Sequence, residues 1–181
     1  MSLCLLLGGA RSGKSALALS RAARRCQPVT FIATAEPRDD EFAERIARHR
    51  AERPPEWLTL EVPVEIGATL AALSPSQTAV IDCLTLWLSN LLESGLGPAE
   101  VLARAAEVAA CAAARPGDVV VVSNEVGSGI VPADPLSRAY RDLLGSVNAT
   151  FSRQADEAYL VVAGRLLPLG QPTWEPEAGP L

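Results

Sequence analysis

Short apolar runs alternate with longer stretches of helical periodicity along this chain. The runs have five or six residues, the length of buried β-strands. They are Leu3–Leu7, Val29–Ala33, Trp57–Val62, Thr78–Asp82, Asp118–Ser123 and Ala158–Ala163. The stretches predicted as helices are Lys14–Arg25, Asp39–Arg53, Ile66–Leu73, Leu84–Leu92, Ala99–Ala114 and Leu136–Gln154. This alternation predicts an α/β fold in which helices flank a mostly parallel central sheet.

The chain length favours one domain. At 181 residues it is close to the usual size of a single globular unit. We assign residues 1–169 to this domain. Residues 170–181 contain three prolines and two glycines, and we expect them to form an irregular tail.

A glycine-rich segment, GGARSGKS, directly follows the first predicted strand. It matches G-x-x-x-x-G-K-[ST], and it lies between an apolar strand and a helix, where backbone N–H groups can bind phosphate oxygens. In such a loop Lys14, the only lysine of the chain, reaches the β- and γ-phosphates, and the Ser15 hydroxyl coordinates Mg²⁺. The alternative is a chance glycine turn, which the strand–loop–helix context disfavours. The predicted phosphate-binding residues are Gly8, Gly9, Ala10, Arg11, Ser12, Gly13, Lys14 and Ser15.

An acidic residue ends the fourth predicted strand. In parallel sheets, ligands bind at the carboxyl ends of the strands, so Asp82 is expected to face the same crevice as the glycine-rich loop and to hold Mg²⁺. The same residue could instead cap the helix that starts near Leu84. A rival for the metal role is Glu125, which comes just after the VVVV strand.

The single histidine of the chain, His49, stands among four arginines in the segment RIARHRAERP. At about 100° per residue, Phe42, Ile46, His49 and Arg53 share one helical face, apolar at its start and cationic at its end. Such a face can pack on the core at one end and overhang a polyphosphate at the other, where arginines bind phosphate oxygens. A neutral imidazole nitrogen can then attack phosphorus. The alternative is a solvated basic helix with an incidental histidine.

Composition excludes several classes of function. The net charge is −5 and aromatic residues make up 4% of the chain, which disfavours nucleic-acid binding. No apolar run is long enough for a signal peptide or a membrane span. The cysteines form no CxxC pair, so we expect reduced core thiols in a cytoplasmic protein. The cysteines are Cys4, Cys26, Cys83 and Cys111.

Four segments in this order resemble a known family: GGARSGKS, ATAEPRDDEFAERIARHRAERPPEW, VIDCLTLWLSNLL and VVSNEVGSGIVP. Together they are similar to the bifunctional adenosylcobinamide kinase and adenosylcobinamide-phosphate guanylyltransferase of cobalamin biosynthesis. The resemblance runs from the first residue to about Gly164. It implies a RecA-like P-loop fold, Mg²⁺ dependence and a homotrimer.

The resemblance also implies two activities. The first phosphorylates adenosylcobinamide from ATP or GTP. The second transfers GMP from GTP to adenosylcobinamide phosphate through a guanylylated histidine, which His49 matches, and gives adenosylcobinamide-GDP and pyrophosphate. The positions matching those around the guanine nucleotide are Ala33, Thr34, Ala35, Arg50, Ala51, Glu52, Arg53, Glu61 and Asp82.

Two other functions remain open at this point. One is a P-loop kinase for a small molecule, in which His49 takes no part. The other is a non-catalytic module that senses nucleotides, which would bind them without transferring phosphate or GMP.

Overall fold

A computed structural model describes residues 2–25 and 27–171. The strands are β1 (Leu3–Gly8), β2 (Val29–Ala33), β3 (Leu58–Glu61), β4 (Thr78–Asp82), β5 (Val119–Asn124), β6 (Glu157–Val162) and β7 (Arg165–Pro168). The helices are α1 (Lys14–Ala23), α2 (Asp40–Ala51), α3 (Ile66–Ala72), α4 (Leu84–Glu93), α5 (Pro98–Ala114) and α6 (Pro135–Gln154). All the predicted strands and helices are present, with ends within two residues of the prediction. The predicted α/β fold is therefore confirmed.

The strands form one sheet in the order β3-β2-β4-β5-β1-β6-β7. All neighbouring pairs are parallel except β6 and β7. Strand β5 lies between β1 and β4, with Asn124 opposite Gly8 and Val122 opposite Asp82. The glycine-rich loop, the acidic end of β4 and the end of β5 therefore meet at one edge of the sheet, where parallel α/β sheets bind their ligands.

The core lies on both faces of the sheet. Along β5, Val119 and Val121 belong to the apolar cluster on one face, and Val120 and Val122 to the cluster on the other. This period of two, with both sets buried, is the reason that VVVV indicates a central strand. The larger cluster, which includes Trp87, packs under α3, α4, α5 and α6, and the smaller one packs under α1.

The sequence analysis missed the last strand of the sheet. Strand β7 runs antiparallel to β6 and pairs Arg165 with Val162. The two residues between them, Ala163 and Gly164, have φ of 50° and 75°. Positive φ at both positions gives a tight hairpin turn that matches the twist of the strands. The prediction stopped at Ala163 because Ala-Gly is a weak turn signal.

Two other predictions concern thiols and membranes. Cys4, Cys83 and Cys111 are free thiols, as predicted. Cys26 lies outside the described residues, and so do residues 172–181, the greater part of the predicted tail. Across residues 2–25 and 27–171, no helix combines the length and the apolar character needed to span a bilayer.

Candidate active site

The glycine-rich loop joins β1 to α1 and depends on two of its glycines. A side chain at Gly8 would collide with the carbonyl oxygen of Val161, and Gly13 has a φ of 98°, which other residues rarely adopt. Gly13 is also the N-cap of α1, and no side chain caps the helix there. The N–H groups at this helix end are therefore available to an anion.

Lys14 is buried at the base of the loop, with 6% of its surface exposed. Its Nζ atom donates hydrogen bonds to the carbonyl oxygens of Gly8 at 2.9 Å and Gly9 at 2.7 Å. Burial lowers the pKa of Lys14, and the nearby Cys83 and Asp82 act in the opposite direction. The ammonium group is thus held by neutral carbonyls, which the oxygens of a bound triphosphate could replace as stronger, anionic partners.

Asp82 lies at the end of β4, beside the glycine-rich loop. Burial raises the pKa of its carboxyl group, while a hydrogen bond from Ser15 and the charges of His49, Arg53 and Lys14 lower it. The N-cap of α4 is Cys83. The alternative that Asp82 caps this helix is therefore wrong.

The pair formed by Ser15 and Asp82 fits a magnesium ion that is shared with a nucleotide. Mg²⁺ in such sites takes one or two protein oxygens and completes its coordination with phosphate oxygens and water. The Ser15 hydroxyl and the Asp82 carboxylate both line the cavity and can supply these protein ligands. In the described part of the chain, no group of three or more His, Cys, Asp or Glu side chains could hold a metal. An ion here would therefore depend on the phosphates of the substrate.

Thr34 fixes the backbone next to Asp82. Its hydroxyl donates to the carbonyl oxygen of Cys83 at 2.8 Å and accepts from the Cys83 N–H at 2.8 Å. The side chain is fully buried and joins the end of β2 to the end of β4. Thr34 therefore supports the site from behind, while its neighbours Ala33 and Ala35 line the cavity.

Helix α2 overhangs the site, and none of its residues is buried. The side chain of Asp39 caps its start by accepting from the Phe42 N–H at 2.7 Å. His49 lines the cavity, at the end of the helical face that we expected to overhang a polyphosphate. The expectation that the apolar start of this face packs on the core is wrong, because Phe42 and Ile46 line the cavity as well and are not buried. The basic half of α2 thus lies over the end of the sheet that carries the glycine-rich loop.

Two arginines join the end of α2 to β2 and β3. The guanidinium group of Arg53 stacks on the Phe31 ring and donates to the Thr59 hydroxyl at 3.4 Å. Burial lowers the pKa of Arg53, and the carboxylate of Asp82 opposes this shift. Arg50 forms an exposed ion pair with Glu61 at 3.2 Å. These contacts hold cationic side chains at the mouth of the cavity.

These residues enclose a cavity of about 410 Å³. Most of the predicted site residues line it: Ala10, Arg11, Ser12, Gly13, Lys14, Ser15, Ala33, Ala35, His49, Arg50, Glu52, Arg53, Glu61 and Asp82. Four do not: Gly8, Gly9, Thr34 and Ala51. The lining also contains residues that the sequence analysis did not assign to the site: Ala16, Phe42, Arg45, Ile46, Cys83, Thr85, Leu86, Val122 and Asn124.

The end of β5 contributes an amide to this lining and not the acid that we considered as a rival metal ligand. Asn124 lines the cavity, and Glu125 does not. The Oε1 atom of Glu125 accepts from the N–H groups of Gly127 at 2.5 Å and Ser128 at 2.8 Å. Its carboxylate therefore stabilises its own loop, and Asp82 is the better candidate for the metal.

Sequence comparisons agree on one family. The family described as cobinamide kinase / cobinamide phosphate guanyltransferase matches residues 4–169. The chain is 42% identical over 170 residues to the bifunctional adenosylcobalamin biosynthesis protein CobP of Pseudomonas aeruginosa strain PAO1, covering 93% of this chain and 98% of that protein. It is 38% identical over 174 residues to the bifunctional adenosylcobalamin biosynthesis protein CobU of Salmonella typhimurium strain LT2, covering 88% and 95%.

Solved structures with low sequence identity share the fold. The RadB recombinase superposes with a TM-score of 0.52 at 17% identity, covering 88% of this chain and 73% of that one. The ATPase EscN of the enteropathogenic E. coli type III secretion system gives 0.55 at 11% identity, covering 90% and 43%. These likenesses confirm the predicted RecA-like P-loop fold.

Proposed function

Since the chain belongs to the family of cobinamide kinases and cobinamide phosphate guanylyltransferases, we propose that it acts on adenosylcobinamide in two steps. The first step phosphorylates the aminopropanol hydroxyl from ATP or GTP. The second transfers GMP from GTP to that phosphate through a guanylylated His49 and gives adenosylcobinamide-GDP and pyrophosphate. The observation that carries this proposal is that His49 lines the same cavity as Lys14, Ser15 and Asp82.

In the kinase step, the substrate hydroxyl attacks the γ-phosphorus. The bond from the γ-phosphorus to the β–γ bridging oxygen breaks, the nucleoside diphosphate leaves with the electron pair, and the hydroxyl proton passes to solvent. The loop N–H groups and Lys14 would bind the β- and γ-phosphates and stabilise the charge that develops on them. The buried ammonium of Lys14 supports this role, because its present partners are neutral carbonyls.

In the guanylyltransferase step, a neutral imidazole nitrogen of His49 supplies the electron pair that attacks the α-phosphorus of GTP. The bond from the α-phosphorus to the α–β bridging oxygen breaks, and pyrophosphate leaves. A phosphate oxygen of the cobinamide substrate then attacks the same phosphorus, the P–N bond breaks and the imidazole is restored. The position of His49 on α2, which is anchored through Arg53, supports a nucleophile that meets the nucleotide from above the sheet.

The residues around His49 fit a triphosphate with a guanine base. Arg50 and Arg53 would bind phosphate oxygens of GTP and stabilise their charge while GMP is transferred to His49. Glu61 lies at the cavity, and its carboxylate can accept hydrogen bonds from the neighbouring N1–H and 2-amino groups of guanine, a pair of donors that adenine lacks. Ala33 and Ala35 add small side chains to the same wall and leave room for the nucleotide.

Ser15 and Asp82 are the residues that would hold Mg²⁺. Bound there, the ion would neutralise charge on the phosphate oxygens. This assignment is supported by the position of both residues in the cavity.

We also propose that the enzyme is a cytoplasmic homotrimer. Exposed apolar side chains support an oligomer, because contiguous apolar surface in a folded protein often marks an interface. They occur in two places: between β5 and the first turn of α6, where Ile130 is 98% and Leu136 77% exposed, and on β7, where Leu167 is 57% exposed.

The experiment that tests the proposal is incubation of the enzyme with adenosylcobinamide, ATP, GTP and Mg²⁺, with the corrinoid products identified by mass spectrometry. We expect the phosphate with ATP alone and the GDP derivative with pyrophosphate once GTP is added. A corrinoid that stops at the phosphate would indicate a kinase in which His49 is idle. Nucleotide binding with an unmodified corrinoid would indicate a sensing module.

A further inference from the structure

Asn124, the last residue of β5, has a backbone that is fixed from two sides. Its N–H donates to the Thr85 hydroxyl at 2.9 Å, and its carbonyl oxygen accepts from the Asn148 side chain at 3.0 Å. Tyr140 in turn donates to the Thr85 carbonyl oxygen at 2.7 Å. Helices α4 and α6 therefore hold this residue in place without using its side chain.

Asn124 lines the nucleotide cavity. Among the residues that the structure describes, no hydrogen-bond partner of its Oδ1 or Nδ2 atom is found, although both backbone polar groups are bonded. A rigid backbone that presents an unused donor and acceptor to a cavity is the arrangement expected of a group that binds a ligand. Glu125, one residue later, is satisfied within its own loop.

The position of Asn124 indicates which part of the nucleotide it meets. It pairs with Gly8 across the ladder of β1 and β5, and the Gly8 carbonyl oxygen accepts from Lys14 Nζ. Lys14 is the residue that reaches the β- and γ-phosphates in this type of loop. His49 approaches from α2, which leads into β3 on the opposite side of β4. This arrangement favours the γ-phosphate as the group nearest Asn124 and the α-phosphate as the group nearest His49.

We propose that Asn124 is a catalytic residue of the kinase step, whose carboxamide N–H donates to a non-bridging oxygen of the γ-phosphoryl group during its transfer. The proposal rests on the kinase activity proposed above. In that transfer the substrate oxygen bonds to the γ-phosphorus, the bond to the bridging oxygen breaks, ADP leaves with the electron pair, and the hydroxyl proton is released to solvent. A donor fixed in place stabilises the charge on the equatorial oxygens without moving at the moment of reaction.

The test compares Asn124→Ala and Asn124→Asp with the wild-type enzyme and with Glu125→Gln, whose side chain lies outside the cavity. Two rates are measured: phosphorylation of cobinamide by ATP, and incorporation of label from GTP labelled at its α-phosphate. We expect Asn124→Ala to lower kcat for phosphorylation by about 10²–10³-fold, as for loss of one transition-state donor, and to leave the KM for ATP and the α-label unchanged. Asn124→Asp should also weaken ATP binding, because it places a carboxylate beside the γ-phosphate. Glu125→Gln should behave as wild type in both assays.

Thermal unfolding identifies variants that are not folded. If Asn124→Ala is unstable, Asn124→Asp, which keeps the shape of the side chain, decides the outcome, with both rates compared at saturating nucleotide so that weaker binding does not enter. Wild-type phosphorylation rates in a folded variant would overturn the proposal. An equal loss of phosphorylation and of α-label would also overturn it, since Asn124 would then contribute to nucleotide binding in both reactions and not to the kinase step alone. A wild-type enzyme that does not phosphorylate cobinamide would instead refute the proposed function, and this proposal with it.

Discussion

The guanidinium carbon of Arg53 lies 3.7 Å from the centroid of the Phe31 ring. Phe31 belongs to β2 and is 3% exposed, whereas none of the residues of α2 is buried. This contact therefore joins the segment that carries His49 to the rigid sheet. A nucleophile on a helix with little buried surface depends on such anchors for its position.

Arg53→Lys keeps the positive charge and removes both the planar stacking and the forked donor set. We expect it to slow the incorporation of label from α-labelled GTP by about 2- to 30-fold, which corresponds to a cation–π contribution of about 0.5–2 kcal/mol. Phe31→Leu should slow it similarly, and the double variant should be little slower than either single one. Arg48→Lys, an exposed position on the same helix, is the matched control. A wild-type rate for Arg53→Lys would mean that the stacking does not position His49.

Lys14→Ala should impair both activities, because one loop binds the triphosphate in each. Loss of this fixed charge is expected to lower both rates by about 10²–10³-fold, or about 2.7–4 kcal/mol of transition-state stabilisation. Steady-state kinetics of phosphorylation and α-label incorporation measure the two effects, with circular dichroism as the check on folding. Near-normal turnover in the folded variant would remove the glycine-rich loop from the mechanism.

Asp82→Asn should raise the concentration of Mg²⁺ that is needed for activity more than it changes the free energy of unfolding. The reason is that the carboxylate lines the cavity together with Ser15, and an amide is a weaker ligand for a hard cation. A titration of activity with Mg²⁺ measures the shift, and Glu125→Gln is the control with an unchanged requirement. The reverse pattern in the two variants would transfer the metal role to Glu125.

Much of this site could be predicted because its signals are local. The loop Gly8–Ser15 has a fixed spacing, and Phe42, Ile46 and His49 recur at the helical period, so both features are visible in the sequence. Asn124 was missed because its role depends on strand order: β5 separates β1 from β4, and no local pattern encodes that order. The signal available in the sequence was its position at the end of the VVVV strand, one residue before Glu125, which we considered as a rival metal ligand.

The limits of prediction in the fold have the same origin. Strand β7 depends on pairing with the exposed edge of β6 and on two residues with positive φ, Ala163 and Gly164. Thr34 matched a position near the nucleotide, yet its hydroxyl is used to bind the backbone of Cys83. The sequence pattern predicts that a residue lies at the end of a strand. Tertiary packing decides whether its side chain faces the cavity, as at Asp82, or bonds to the neighbouring backbone, as at Thr34.

The assembly state gives a further prediction. Sedimentation equilibrium at micromolar concentration should give three times the 19.0 kDa mass of the chain. Ile130→Asp and Leu167→Asp, placed on the two exposed apolar regions, identify the interface, because only the substitution within it should dissociate the oligomer. A 19.0 kDa species for the wild-type protein would contradict the trimer.

The central claim, a covalent GMP on His49, is tested most directly by labelling. The wild-type enzyme is incubated with Mg²⁺ and GTP labelled at either its α- or its γ-phosphate, denatured and separated by electrophoresis. The account predicts that α-label stays on the chain, that γ-label does not, and that the bond is labile in acid and stable in base, because protonation of the phosphoramidate nitrogen makes it a good leaving group. His49→Ala should carry no label and still phosphorylate cobinamide, whereas the exposed neighbour Arg48→Ala should label normally. Retention of α-label by His49→Ala would show that another residue is the nucleophile and would contradict the account.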